Sequence, residues 1–283
     1  MGWMKSLYVC ISEDIIPIEG KTLRGSHDYD NNAIHMVSAY SCQTHLVIGQ
    51  QKVEDKSNEI TAIPKLLDTI DISGSTVTID AMGTQKSIAK KIIDKQGDYI
   101  LALKGNHKNL SHDIQLYLDT EQAKPNNAKL LVSNDIDKGH GRIEQRTCYV
   151  TDNVEWIEER NKWSGLKSII MVESKRTIKN KATTEKRYYI ISKDADPEYL
   201  NDAIRSHWSI ENKLHWVLDV SMSEDSSRVR KDYAPENLAM FRHICLNMLH
   251  RAKKGMKDIS IKGLRKLAGW CDATLIKIVS VSF

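Results

Sequence analysis

The chain has 283 residues, 41% hydrophobic and 28% charged, with a formal net charge of +4. That balance describes a folded chain and excludes a disordered one, and no apolar run approaches the roughly 20 residues that a membrane helix needs. A sequence pI near 8.6 permits a nucleic-acid partner without requiring one. The five cysteines, Cys10, Cys42, Cys148, Cys245 and Cys271, are scattered and never form a CxxC pair. Such spacing fits a reducing cytosol and offers no zinc framework.

The first predicted strand covers Asp14 to Glu19, where Ile16 and Ile18 alternate with Pro17 and Glu19. Residues 33–41 and 45–53 read as two strands separated by Cys-Gln-Thr, and so as a hairpin. A helix is expected over 57–70, with Ser57 as N-cap and Ile60, Ile63, Leu67 and Ile70 at helical spacing; Pro64 interrupts its middle. STVTIDAMG is a short β-branched strand ending at Asp80, SIAKKIIDKQG a helix closed by Gly97, and DYILALKGN a buried strand ending at Lys104 and Gly105. Three strands, a helix, a strand, a helix and a strand predict an α/β sheet that begins as a meander and continues through crossovers.

From about residue 107 to 192 the pattern changes to charge-rich strands separated by polar turns, which read as an insertion with its own small sheet. Helices return at DPEYLNDAIRSHWSIENKLHWVLDVS and PENLAMFRHICLNMLHRAKKG, followed by a lysine-rich tail. The expected organisation is a first half of a core over 1–106, an insertion over 107–192, a second half over 193–250 and a basic C-terminal segment over 251–283.

Two acids stand where open α/β sheets collect ligands, beyond strand ends: Glu19 after the first strand and Asp80 after the fourth. A third, Glu211, falls on a helical wheel among Ile204, Trp208, Leu214 and Leu218, in the middle of the apolar stripe. An acid so placed must be protonated, paired with a neighbour such as Arg205 or Lys213, or bound to metal. Three carboxylates suit Mg²⁺ or Mn²⁺, and two such ions about 4 Å apart activate one oxygen and stabilise another in phosphodiester cleavage. His207 and His215 flank Glu211 by one turn on either side, an arrangement that alternatively suits a transition metal.

The ordered segments EGKTLRGS, HMVSAYS, KSNEITAIPKLL, TIDAMGTQ, DYILALKGN, KGHGRIEQR, IRSHWSIENKLHWVLDV, SEDSSRVR and PENLAMFRHICLNMLHR resemble the DDE transposases of bacterial insertion sequences, within the H-repeat-associated (ISAs) group. The resemblance runs from about residue 15 to 275. It implies an RNase H-like core with a β-rich insertion before the helix of the last acid. It also implies catalytic, metal-binding acids at Glu19, Asp80 and Glu211, two Mg²⁺ or Mn²⁺ ions, and nicking and strand transfer at transposon ends. Lys21, Arg24, Lys104, His140, Arg142, Arg205, His207, Arg228 and Arg230 lie in matched segments and are the expected contacts to double-stranded DNA. A homodimer acting on paired ends, in the bacterial cytoplasm and on the nucleoid when DNA is bound, follows from the same resemblance.

Three departures qualify it. The family pattern has aspartate where this chain has Glu19. The Tyr, Arg and Lys that related transposases carry at −7, −4 and +7 from the last glutamate are Ile204, His207 and Leu218 here. Relatives also begin with a longer N-terminal segment, so the expectation is a truncated and degenerate transposase. The alternatives are an inactive DNA-binding remnant and a Mg²⁺-dependent structure-specific nuclease on the same core.

Overall fold

The computed structural model describes residues 13–280 apart from 28, 30, 31, 126, 140, 180 and 257. The chain divides into two compact units, one built from residues 1–71 and 208–283 and the other from 72–207. Among the described residues no helix is long and apolar enough to cross a membrane.

The first unit opens with an antiparallel meander of β1 (Ile15–Thr22), β2 (His35–Tyr40) and β3 (Val47–Lys52). Pro17, which cannot donate to a ladder, lies just before the stretch of β1 that pairs with β2, Ile18 to Thr22. The expected hairpin is present, with a bulge at Ala39/Tyr40. Helix α1 (Glu59–Thr69) begins one residue later than expected: the Asn58 side chain, not that of Ser57, accepts from the Ile60 N–H at 3.1 Å. It continues through Pro64 and buries Ala62, Ile63, Leu66 and Leu67.

The unit's second half is helical. The expected long helix through Glu211 is broken: a π-helical segment, Ile210–His215, leads into α5 (Trp216–Met222), after which Ser223 turns the chain in the left-handed region at φ 53°. Then follow α6 (Ala234–Lys253), α7 (Ile261–Trp270) and α8 (Asp272–Ser280). Ile210, Leu214, Leu218, Leu246 and Leu249 pack on Tyr40 and Val47 of the meander. Asn247 of α6 clamps the start of β3, its Oδ1 accepting from Val47 N at 2.9 Å and its Nδ2 donating to Val47 O at 2.8 Å.

The second unit starts with a βαβ crossover. β4 (Thr76–Ile79) pairs in parallel with β5 (Asp98–Leu103), joined by α2 (Lys86–Asp94). The left-handed residue after α2 is Gln96, at φ 59°, not the expected Gly97, whose N–H caps the Ile92 carbonyl at 3.0 Å. After α3 (Lys108–Gln122), β6 (Leu131–Gly139), β7 (Arg142–Thr151), β8 (Ser168–Ile178) and β9 (Lys181–Ile191) form antiparallel neighbours. They are not a separate sheet. β9 pairs with β5, giving the order β4-β5-β9-β8-β7-β6. The near ends, such as Ile169 to Val172 and Tyr188 to Ile191, are buried, whereas the charge-rich far ends are solvated. Helix α4 (Pro197–Ser206), capped by Asp196, packs on β6 and β7. The result is the mixed α/β architecture expected of an RNase H-like chain.

Candidate active site

Strand β1 does not end at Glu19 as expected but runs on to Thr22, because Gly20, Lys21 and Thr22 stay paired with β2. Its side chains alternate, so Glu19 and Lys21 leave the same face from within the strand. Between them Gly20 does not turn the chain; it is paired with Val37 in the ladder. Its missing side chain makes room instead. A Cβ there would stand 2.1 Å from Glu59 Oε1 and 2.3 Å from His35 Nε2, two atoms that bond one another at 2.7 Å.

Glu19, Glu211 and His215 each bring a potential ligand atom to one place, all within 4.8 Å of one another. Glu211 is not buried in an apolar stripe as the wheel predicts: its side chain is 50% exposed. Trp208 is equally exposed, while Ile210, Leu214 and Leu218 are buried. The reason is local. The α-helical ladder ends at Ser206, and the i→i+5 ladder from Ile210 rotates the following side chains away from an ideal 100° wheel. Lys213 does not pair with Glu211, which bonds His215 instead, with Nδ1 2.8 Å from Oε2. His215 is buried, its Nε2 has no hydrogen-bond partner among the described residues, and burial holds its pKa below the usual histidine value despite the Glu211 carboxylate.

Two carboxylates and an imidazole fit a divalent ion. Adjacent ligands of an octahedral ion at about 2.1 Å stand about 3 Å apart, close to the Glu211–His215 separation. The imidazole makes the set friendlier to Mn²⁺ than three carboxylates would be. Its signal in the sequence was the four-residue step Glu-x-x-x-His, which the structure keeps for His215 alone. The ring of His207 instead meets Thr78 Oγ1 of β4 at 2.9 Å, and burial lowers its pKa to about 4. Asp80, in the second unit, follows β4; its carboxylate accepts from Met82 N at 3.0 Å and from Gly83 N at 3.4 Å.

Apart from His207, the described residues among the expected DNA contacts are either held by carboxylates or exposed. Lys21 is held by carboxylates, with Nζ 2.8 Å from Asp219, 2.9 Å from Asp225 and 3.4 Å from the buried Glu224. Burial pulls its pKa down, but the hydrogen bonds to Asp219 and Asp225 more than offset this and leave it raised. Arg205 forks onto Asp135 and Asp137. Arg24, Lys104, Arg142, Arg228 and Arg230 are exposed. Arg24 and Arg230 share one neighbourhood: Arg230 Nε donates to Gly25 O at 3.1 Å, and a Cβ on Gly25 would lie 2.0 Å from Ser227 O. His140 lies outside the described residues.

The mixed sheet and a metal-capable acidic site define the chain's class, and comparison with known proteins agrees. The sequence model of the family described as "Transposase DDE domain" matches residues 12–248, and the chain belongs to that family. It is 43% identical over 258 residues to "Putative transposase YncI" of Escherichia coli O157:H7, covering 89% of this chain and 65% of that protein. It is 42% identical over 263 residues to "H repeat-associated putative transposase YhhI" of Escherichia coli strain K12, covering 89% of this chain and 68% of that one. The chain therefore spans about two thirds of the length of these relatives.

Proposed function

We propose that the chain is the transposase of an insertion sequence, nicking DNA at the element's ends and joining the exposed 3′-hydroxyl to target DNA. Membership of the family and the convergence of Glu19, Glu211 and His215 support this reading. Asp80 is assigned the remaining carboxylate from its place in TIDAMG at the end of β4. Two Mg²⁺ or Mn²⁺ ions held by Glu19, Asp80 and Glu211 would activate the attacking oxygen and neutralise charge on the leaving one. His215 is a further candidate ligand beside Glu19 and Glu211; its ring lies 2.8 Å from the half-exposed Glu211 carboxylate and its burial keeps it from swinging out. Arg24, Lys104, Arg142, Arg228 and Arg230 supply exposed cations to DNA phosphates. Residues 1–106 and 193–250 are read as the halves of the catalytic core, 107–192 as the insertion and 251–283 as a basic C-terminal segment. A homodimer working on paired DNA ends in the bacterial cytoplasm completes the proposal.

Glu19 in place of aspartate lowers the expected activity, because one extra methylene moves the carboxylate by roughly a C–C bond and a misplacement of about 1 Å can cost on the order of a hundredfold in rate. The test is Mn²⁺-dependent nicking of DNA carrying the element's ends. Glu19→Asp raises the rate, and Asp80→Ala or Glu211→Ala abolishes it. Nicking by Asp80→Ala at the parent's rate would overturn the site.

A further inference from the structure

The first unit carries a second concave site of opposite character. A cavity of about 400 Å³ is lined by His45 from the β2–β3 turn, Asn212 and Lys213 from the π-helical segment, and His250, Lys253 and Lys254 from the end of α6. That volume is at the low end of ligand pockets, about 300–1,000 Å³. Its lining includes no carboxylate among the described residues. None of the three lysines is ion-paired among the described residues, in contrast to Lys21 and Arg205.

Val217 and Ile261 supply an apolar wall, and Thr44, Asn212 and the two histidines supply the other polar groups. His250 Nε2 is buried without a hydrogen-bond partner among the described residues. Burial lowers the pKa of His250 to about 4, and His45, Lys253 and Lys213 push it the same way; burial, Lys213 and Lys254 likewise lower His45. The lysine charges thus reach the pocket interior. Asp14 opposes them at His45, but it is fully buried and already accepts from Ser41 and from the Gln43 N–H. Cations at the end of a helix complement its dipole, which accounts for Lys253 and Lys254 in isolation. It does not account for Lys213, which comes from another element and converges with them.

We infer that this pocket is a phosphate-binding subsite that takes a backbone phosphodiester of a DNA strand. The choice of DNA over a free anion rests on the strand-nicking reading. The subsite and the Glu19–Glu211–His215 cluster share the π-helical segment but no lining residue, so a phosphate held by Asn212 and Lys213 engages the same stretch of backbone that carries Glu211. Binding here therefore positions a strand relative to the candidate metal ligands.

The test is fluorescence anisotropy of a labelled duplex over a salt series without divalent metal, comparing wild type with Lys213→Ser/Lys253→Ser/Lys254→Ser. The expected result is an affinity loss of about tenfold or more at low salt, with a log K against log salt slope shallower by about 0.9 for each phosphate that is no longer neutralised. The single exposed change Lys254→Glu, checked for an unchanged melting temperature, is expected to weaken binding severalfold and guards against a misfolded triple variant. An unchanged slope in both variants, with no response of the His45 and His250 rings to inorganic phosphate, overturns the subsite. A parallel arm follows the His45 and His250 ring signals by NMR during titration with inorganic phosphate. Shifts there without any change in DNA slope overturn the DNA assignment in favour of a free-anion site. If wild type fails to nick with Mn²⁺ yet the variants lose slope, the catalytic reading falls and the subsite stands. If nicking is intact, the slope is unchanged and the rings do not respond, the subsite alone falls.

Discussion

Replacing Lys21 by methionine tests whether this residue holds the fold or the DNA. Methionine keeps the aliphatic stem and removes the charge that faces Asp219, Asp225 and Glu224 at 2.8, 2.9 and 3.4 Å. Stripping one partner from a buried ion pair costs roughly 3–5 kcal/mol, because the remaining charge is left uncompensated. Here Asp219 and Asp225 are about a third exposed and can rehydrate, whereas Glu224 is 2% exposed and keeps only Arg242, at 4.0 Å. The expected loss at pH 7 is therefore about 2–4 kcal/mol, less than the fully buried figure. Its pH dependence has a definite sign. Burial already raises the Glu224 pKa, so between the unfolded and folded values the native state binds more protons and stability falls as pH rises. Without Lys21 that pKa climbs further, and the deficit shrinks between pH 7 and pH 5. Urea unfolding of wild type and variant at both pH values measures this. A loss below about 1 kcal/mol, or a deficit that widens at pH 5, would refute the structural role. If stability is intact and DNA affinity drops, the phosphate-contact role expected from the sequence is restored.

Asn247→Ala strands the N–H and carbonyl of Val47 inside the unit, and an expected loss of about 2–3 kcal/mol is read from denaturant midpoints. Burial, with the charges of His215, Lys21 and Arg242, lowers the His243 pKa to about 3, so this histidine's contribution is full above its unfolded value and falls away as pH drops through it. Between pH 6.5 and 5 that contribution shrinks by about 1.5 kcal/mol, and His243→Asn should flatten the stability profile across that window. Gly25→Ala drives a methyl into the Ser227 carbonyl and should cost about 1–3 kcal/mol by thermal melting. Arg205→Ala removes an exposed pair with Asp135 and Asp137 and should change stability by no more than about 1 kcal/mol in the same assay.

What the sequence revealed follows from where the local signal is strong. The β1–β3 meander and the β4–α2–β5 crossover were readable because β-branched alternation and helical spacing act over a few residues. The joining of β9 to β5 was not, because it pairs residues about 90 apart and the far half of β9 is charge-rich, the signature of a free-standing ribbon. Helix α3 was missed although Leu110, Ile114 and Leu118 are spaced for one buried face. Asp80 was recognisable as a candidate from its strand end, and Glu19 and Glu211 from motif order; the strand-end argument failed for Glu19, because β1 continues through the Gly-Lys-Thr that follows it. The exposure of Glu211 was not recognisable, since a wheel assumes one pitch and cannot foresee the break at Ser206.

That break also explains why an irregular segment stands at this point. Glu211, His215 and Asp219 are spaced by four residues, and each meets the strand that carries Glu19 and Lys21: the first two gather with Glu19, and the third bonds Lys21. In an unbroken α-helix each four-residue step overshoots a turn by about 40°, so the third side chain would sit about 80° round from the first. With an i→i+5 ladder each residue turns less, and the step from Glu211 to His215 no longer overshoots in the same way. The step from His215 to Asp219 lies in regular α-helix and overshoots as usual. The two drifts offset one another, which suits three side chains that all meet β1, two at Glu19 and one at Lys21. The π-helical turn is thus what lets one helix serve the metal-capable end and the ion-paired end of β1 together, and straightening it would cost one or the other.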